Sequence, residues 1–160
     1  MKPLFVLAGG FGTRLRSIVS NVPKPLAPVA GEAFLIHLIH HWVAQGVDDF
    51  VFLLHYEAEQ IESVLNDLSR HEEFSQITFR VLVESTPLGT GGAILNAIDF
   101  YGINSSFMVA NADTWLGSGV KKLAAMDSSA IAAVKVANAE RYGLFCQRSI
   151  SCPAIRGHRC

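Results

Sequence analysis

The sequence predicts an α/β protein with a mostly parallel sheet and helices on both of its faces. Three observations carry that prediction. Short apolar runs rich in β-branched and aromatic residues alternate with stretches of helical periodicity from the N-terminus to about Val136. The runs are continuous rather than alternating, as expected of strands buried on both faces. The stretches between them have room for helices, which parallel strands need as crossovers.

The expected strands cover residues 4–8, 50–54, 78–83, 107–110 and 131–136. Between them, Phe34, Leu35, Leu38, Ile39, Trp42 and Val43 mark one helix, with Gly46 as its C-terminal stop. Ile61, Val64, Leu65 and Leu68 mark a second helix. Ala93, Ile94, Ala97 and Ile98 mark a third, shorter one, and Val120, Leu123 and Ala124 a fourth. In such a sheet ligands sit beyond the carboxyl ends of the strands, so the residues that follow each run are the ones to read for function.

With 160 residues the chain is expected to form one domain able to enclose a core. Half of it is apolar and only 17% is charged, which excludes an intrinsically disordered chain. Thirteen Lys and Arg against fourteen Asp and Glu leave no basic field to hold nucleic acid or an anionic membrane. A nucleotide recognised here would be a small ligand in a pocket. Three cysteines do not suggest a disulfide framework. The apolar opening run resembles the start of a signal peptide, but Gly9-Gly10 and Arg14 end it too soon, and no membrane-spanning run follows. The expectation is a soluble, cytoplasmic protein. From Cys146 onward the sequence loses its period and gains positive charge, so residues 146–160 are expected to be a poorly ordered tail after a domain spanning 1–145.

The first strand runs straight into Gly9-Gly10-Phe11-Gly12-Thr13-Arg14-Leu15. Glycines let consecutive backbone N–H groups converge on an anion. Thr13 adds a hydroxyl, and Arg14 adds a forked cation suited to phosphate oxygens. The alternative is a tight strand-to-helix turn beside a solvated arginine. A Walker A loop would need Gly-Lys-Ser/Thr where Gly12-Thr13-Arg14 stands. A dinucleotide fingerprint would need a small residue at Leu15 and an acid after the second strand, where Leu54-His55-Tyr56 stands instead. Downstream, Pro23-Lys24-Pro25-Leu26 fixes the backbone around a lysine and limits where its ammonium can point.

The glycine segment with Pro23-Lys24-Pro25-Leu26 resembles the signature of the sugar-1-phosphate nucleotidylyltransferases, and Pro87-Leu88-Gly89-Thr90-Gly91-Gly92 resembles a third motif of that family, in the family's order. Within the family the likeness is greatest to the heptose- and mannose-1-phosphate guanylyltransferases. The resemblance covers roughly residues 1–143. It implies a three-layer, Rossmann-like fold of the nucleotide-diphospho-sugar transferase kind. It further implies nucleotide binding through Leu7, Ala8, Gly9, Gly10, Gly12, Thr13, Glu84, Leu88, Gly89 and Thr90, catalytic roles for Arg14 and Lys24, and a Mg²⁺ ion on Asp113.

Glu84 ends the third strand. Guanine presents N1–H and an N2 amino group side by side, and one carboxylate can accept from both. Uracil and thymine offer a single imide N–H between carbonyls that repel a carboxylate, so Glu84 favours GTP; the alternative is a surface glutamate. Asp113, in Ala110-Asn111-Ala112-Asp113-Thr114 after the fourth strand, stands where a cation held by nucleotide phosphates needs an oxygen ligand. The alternative for Asp113 is a helix N-cap. The family usually has Gly where Ala112 stands. His37, His40 and His41 lie at helical spacing but lack an acidic partner with ligand geometry, so a zinc site is not expected there, nor at Cys146 and Cys152.

The implied reaction is attack of a sugar 1-phosphate oxygen on the α-phosphorus of a nucleoside triphosphate, releasing pyrophosphate. The nucleophile is already anionic, with a second pKa of about 6, so no general base is required. Arg14 and the loop amides would hold the departing phosphates, and Lys24 would bridge the α-phosphate and the incoming one. Family members continue past Tyr142-Gly143 with a Glu-Lys-Pro strand, a second metal aspartate and most of the sugar pocket. Nothing after Leu144-Phe145 matches these, so weak or absent activity is expected of the 160-residue chain. Other readings are a uridylyl- or thymidylyltransferase of the same family, a non-catalytic nucleotide-binding or regulatory subunit, and a molybdenum-cofactor nucleotidyltransferase; Leu88-Gly89-Thr90-Gly91-Gly92 argues against the last. A cut sheet edge would favour a homo-oligomer.

Overall fold

A computed structural model describes residues 1–10 and 22–134 of the chain. The chain divides into two units, Met1–Ser129 and Ala130–Cys160, and every element below belongs to the first. In order these are β1 (Leu4–Leu7), β2 (Pro28–Val29), β3 (Glu32–Ala33), α1 (Phe34–Ala44), β4 (Asp49–Leu54), α2 (Ala58–Leu68), β5 (Thr78–Val83), α3 (Gly89–Tyr101), β6 (Met108–Asn111) and α4 (Val120–Ala124). Single 3-10 turns occupy Lys24–Leu26 and Glu72–Phe74.

Four strands form one sheet in the order β5-β4-β1-β6, every pair parallel. The register sets Leu4 beside both Phe50 and Met108, so the carboxyl ends of β1, β4 and β6 lie level. Leu4, Val6, Phe50, Phe52 and Leu54 pack in one cluster with Leu35, Leu38, Ile39 and Trp42 of α1 and Ile61, Leu65 and Leu68 of α2. The alternate residues Phe5, Val51 and Leu53 pack in another with Ala93 and Ala97 of α3. Consecutive strand residues face opposite ways, so these clusters are the two faces of the sheet, and the architecture is three layers. Each fully buried Phe, Leu or Ile stabilises the fold by roughly 1.5–3 kcal/mol.

The placement of the helices follows from handedness. Crossovers between parallel strands are right-handed, so a chain that grows outward from β1 to β5 and then doubles back to β6 must move its helix to the other face. α1 and α2 therefore cover one face and α3 the other. The reversal puts a crevice between the carboxyl ends of β1 and β6.

Four of the five expected strands are present, shifted at most by a residue at either end. The fifth is not: residues 131–134 take no strand conformation and are exposed, while 135 and 136 lie outside the described residues. An apolar run becomes a strand only where a neighbour supplies the ladder, and none of the described residues pairs with this one. The third helix is longer than expected, with 13 residues, because it takes in Gly89-Thr90-Gly91-Gly92 as its first turn. The expected tail over 146–160 and the domain end at 145 lie outside the described residues. Among the described residues no helix is long and apolar enough to cross a membrane.

Candidate active site at the strand tips

A cleft of about 610 Å³ opens at the carboxyl ends of the strands. It is lined by Leu7, Ala8, Gly9 and Gly10 behind β1, Leu53 and His55 at β4, Glu84 and Pro87 behind β5, Gly89, Thr90 and Ala93 of α3, and Asn111, Ala112 and Asp113 behind β6, with Lys24 and Pro25 closing one side. Nine of the expected site residues thus share one cavity: Leu7, Ala8, Gly9, Gly10, Lys24, Glu84, Gly89, Thr90 and Asp113. Leu88 stands at its rim with an exposed side chain and contributes through its backbone. Gly12, Thr13 and Arg14 lie outside the described residues.

The carboxyl end of β1 is fixed from both sides, since Ala8 N–H donates to the Leu53 carbonyl and Ala112 N–H donates to that of Leu7, each at 3.0 Å. Gly9 follows at a close approach: a Cβ there would meet the His55 Cβ at 3.2 Å and its backbone nitrogen at 3.3 Å. Only glycine fits without displacing the start of the β4–α2 connection.

Lys24 opens a 3-10 turn between Pro23 and Pro25, closed by Leu26 N–H donating to the Pro23 carbonyl at 2.8 Å. The prolines hold the turn, and the Lys24 ammonium reaches across the cleft to donate to Asp113 Oδ2 at 2.5 Å. Thr114 Oγ1 donates to the other oxygen, Oδ1, at 3.1 Å. Partial burial pushes the Asp113 carboxyl up, but the Lys24 ammonium and the Thr114 hydroxyl outweigh it and hold the group below its ordinary value. Asp113 is not a helix N-cap, because the next helix starts only at Val120, behind Gly119.

Glu84 is held at three points. Its N–H donates to the Leu54 carbonyl at 2.8 Å, its own carbonyl accepts from His55 Nδ1–H at 2.8 Å, and its carboxylate accepts from Leu88 N–H at 3.0 Å. It is therefore not a loose surface glutamate. The Leu88 bond also sets a negative charge at the start of α3, whose N-cap side chain makes no capping bond. The third motif of the resemblance, residues 87–92, is thus the end of a short loop and the first turn of α3.

Sequence reasoning missed His55, Leu53, Ala93 and Asn111 as cleft residues. A histidine after a strand carries no signal by itself; its use here comes from the Glu84 carbonyl, 29 residues away. The three clustered histidines each serve a separate contact. His37 Nε2–H donates to the Val29 carbonyl at 2.9 Å, His40 packs on Phe74, and His41 donates to the Leu116 carbonyl at 2.8 Å and stacks on Trp115. Among the described residues no group of three or more His, Cys, Asp or Glu is arranged to hold a metal ion.

A parallel sheet with its cleft at the point of strand reversal, lined by a glycine segment, an ammonium and a carboxylate, defines an α/β protein whose candidate ligand site lies at its strand tips. Comparison with known proteins makes the class specific. Residues 4–149 match the Nucleotidyl transferase family, and the chain belongs to it. It is 34% identical over 139 residues to the D-glycero-alpha-D-manno-heptose 1-phosphate guanylyltransferase of Campylobacter jejuni, a match covering 86% of this chain and 60% of that protein. It is 35% identical over 150 residues to the mannose-1-phosphate guanyltransferase of Neurospora crassa, covering 90% of this chain and 40% of the relative. Among solved structures it is similar to HddC from Yersinia pseudotuberculosis complexed with GMP-PN, with TM-score 0.66 and 35% identity over 78% of this chain and 53% of that one. It is also similar to the inositol-1-phosphate CTP transferase from T. maritima, with TM-score 0.63 and 26% identity over 81% of this chain and 50% of the other. The chain spans 60% or less of the length of each of these relatives.

Proposed function

We propose that the chain carries the nucleotide-binding part of a sugar-1-phosphate guanylyltransferase, transferring the guanylyl group of GTP to a heptose or mannose 1-phosphate. The observation that carries this reading is the meeting of Lys24 and Asp113 across a cleft walled by the Gly9-Gly10 segment and the Glu84 loop. A phosphoryl-transfer site has two tasks: to neutralise charge and to align two polyanions in line. The backbone N–H groups behind β1, with Arg14, hold the β- and γ-phosphates. Lys24 holds the α-phosphate and the phosphate of the incoming sugar. A sugar phosphate oxygen forms the new bond to the α-phosphorus, the bond from the α-phosphorus to the bridging oxygen breaks, and pyrophosphate leaves with that oxygen.

The names of the Campylobacter jejuni and Neurospora crassa relatives support GTP over other bases, and so does Glu84. A carboxylate has about four acceptor sites, so the bond from Leu88 N–H leaves capacity for the guanine N1–H and N2 amino groups, and it fixes the orientation of the acid. The residues also fit a Mg²⁺ ion: Asp113 is kept ionised at the cleft wall, and one carboxylate plus substrate phosphates is a common ligand set for that ion. When bound, Mg²⁺ supplies charge neutralisation on the phosphates. The sugar phosphate would enter from the Lys24 side.

The test is pyrophosphate release with Mg²⁺ across four nucleoside triphosphates and a panel of hexose and heptose 1-phosphates. GTP with a heptose or mannose 1-phosphate is expected to give the highest rate. Equal or better use of UTP or dTTP would overturn the assignment of the base. Arg14→Ala and Lys24→Ala should each lower turnover by about 10²–10³-fold with a much smaller change in the KM for the sugar phosphate.

A further inference from the structure

Both oxygens of the Asp113 carboxylate are already engaged by the protein itself, Oδ2 by the Lys24 ammonium and Oδ1 by the Thr114 hydroxyl. Each oxygen keeps a further acceptor site, but the ammonium that the reaction needs on a phosphate lies against the oxygen that it needs on a cation, and a free dication there meets that positive charge. We propose that this pair shuts the metal position of Asp113 until a nucleotide arrives, so that the divalent cation enters only together with the triphosphate.

The inference deepens the proposed function and rests on it. A free dication approaching Asp113 must displace an ammonium that donates a charge-assisted hydrogen bond, and the released ammonium gains nothing in return but water. The ammonium also offsets one of the two carboxylates, Asp113 and Glu84, that the described lining of the cleft presents to the dication. A cation carried on a triphosphate brings phosphate oxygens with it. Lys24 then exchanges one anion for another, Asp113 exchanges one cation for another, and no charge is left unpaired. The exchange needs little motion, because both groups project from fixed points. Lys24 sits on a turn held by Pro23 and Pro25, and Asp113 follows a strand end held by the Ala112 N–H bond to the Leu7 carbonyl. About two-fifths of each side chain is exposed, so the pair is within reach of an incoming ligand.

The same arrangement makes Lys24 a positioning residue for Asp113 in the nucleotide-free protein, in addition to its contact with phosphate. Removing the ammonium while leaving the carboxylate should therefore raise the affinity for a free cation, a gain that a merely structural lysine would not produce.

The experiment titrates free Mn²⁺ into the purified, nucleotide-free chain and follows the loss of the free-ion electron paramagnetic resonance signal. Lys24→Met should bind Mn²⁺ at least about tenfold more tightly than the native protein, a change of about 1.4 kcal/mol. Lys24→Arg should stay as weak as the native protein, and adding Asp113→Asn to Lys24→Met should abolish the gain. Circular dichroism and a thermal melt of each variant establish that it is folded. If folded Lys24→Met binds Mn²⁺ no more tightly than the native chain, or if the gain survives Asp113→Asn, the proposal is wrong. A parallel titration with Mn²⁺ and GTP separates this outcome from failure of the proposed function. Nucleotide-dependent Mn²⁺ binding that is lost in Asp113→Asn leaves the function standing even where the gating fails, whereas no nucleotide-dependent binding in the native chain removes both.

Discussion

Lys24 and Asp113 stand 89 residues apart in the sequence and meet because each is tied to the tip of a structural element rather than to its neighbour in the chain. Their pairing has a pH signature. Lys24 and Thr114 hold the Asp113 carboxyl below its ordinary value against the opposing effect of burial. The pair's contribution to stability is thus complete above about pH 4 and is lost as pH falls through the lower native value. Exposure of both side chains keeps this contribution small and sensitive to salt. Thermal melts between pH 7 and pH 3 at low salt should show a steeper acid loss for the native chain than for Asp113→Asn; parallel acid limbs would contradict the pairing. On the opposite edge of the sheet, Arg80 donates through Nε and Nη2 to the two oxygens of Asp49, at 3.1 and 2.6 Å, while its guanidinium lies over the Tyr101 ring. Asp49→Ala should lower unfolding stability by about 1–3 kcal/mol in urea, because it leaves a half-buried cation without its acceptor. Lys24 and Asp113 could be read in advance because prolines and a strand end leave their side chains few directions. His55 could not, since its value depends on a carbonyl supplied by another strand.

At the scale of elements, the strands of the four-stranded sheet were legible because each is a largely apolar run, and the central two, β1 and β4, are buried along nearly their whole length. α1, α2 and α4 were legible from one apolar stripe and, for α1, from Gly46. The hairpin of β2 and β3 was not: it is only two residues a side, turning through Ala30 and Gly31 at φ 51° and 91°, and it is pinned to α1 by His37. The start of α3 was misread because glycines are poor helix formers. Packing of Ala93 and Ala97 on the sheet and the Glu84 carboxylate on Leu88 N–H supply what local propensity lacks. Gly89 takes φ +71°, a conformation that costs an L side chain about 1 kcal/mol or more. Gly89→Ala should therefore lower stability by about that amount and weaken nucleotide binding further, as read by a urea melt and by equilibrium dialysis of GTP. By contrast Ile61→Ala, in the middle of α2 and fully buried, should cost about 2–5 kcal/mol of stability. Because Ile61 lies outside the cleft, GTP affinity of the folded fraction should hardly change.

At the scale of the molecule, the order β5-β4-β1-β6 turns separate strand ends into one wall. A chain that reverses direction across its first strand leaves a crevice there, and Gly9, Gly10 and Asp113 border it while Glu84, two strands away, sets its far side. That a cleft would lie beyond the strand ends was readable from the alternation of runs and helices; which side chains would share it depended on register and on the face taken by α3, which no local pattern encodes. The most direct measurement is hydrogen exchange on the purified chain with and without Mg²⁺ and GTP. Slowed exchange is expected at residues 7–10, around Lys24, at 84–92 and at 111–114, with the surface of α2 unchanged. Protection confined to other segments, or none at saturating nucleotide, would contradict a polyphosphate site at the strand tips.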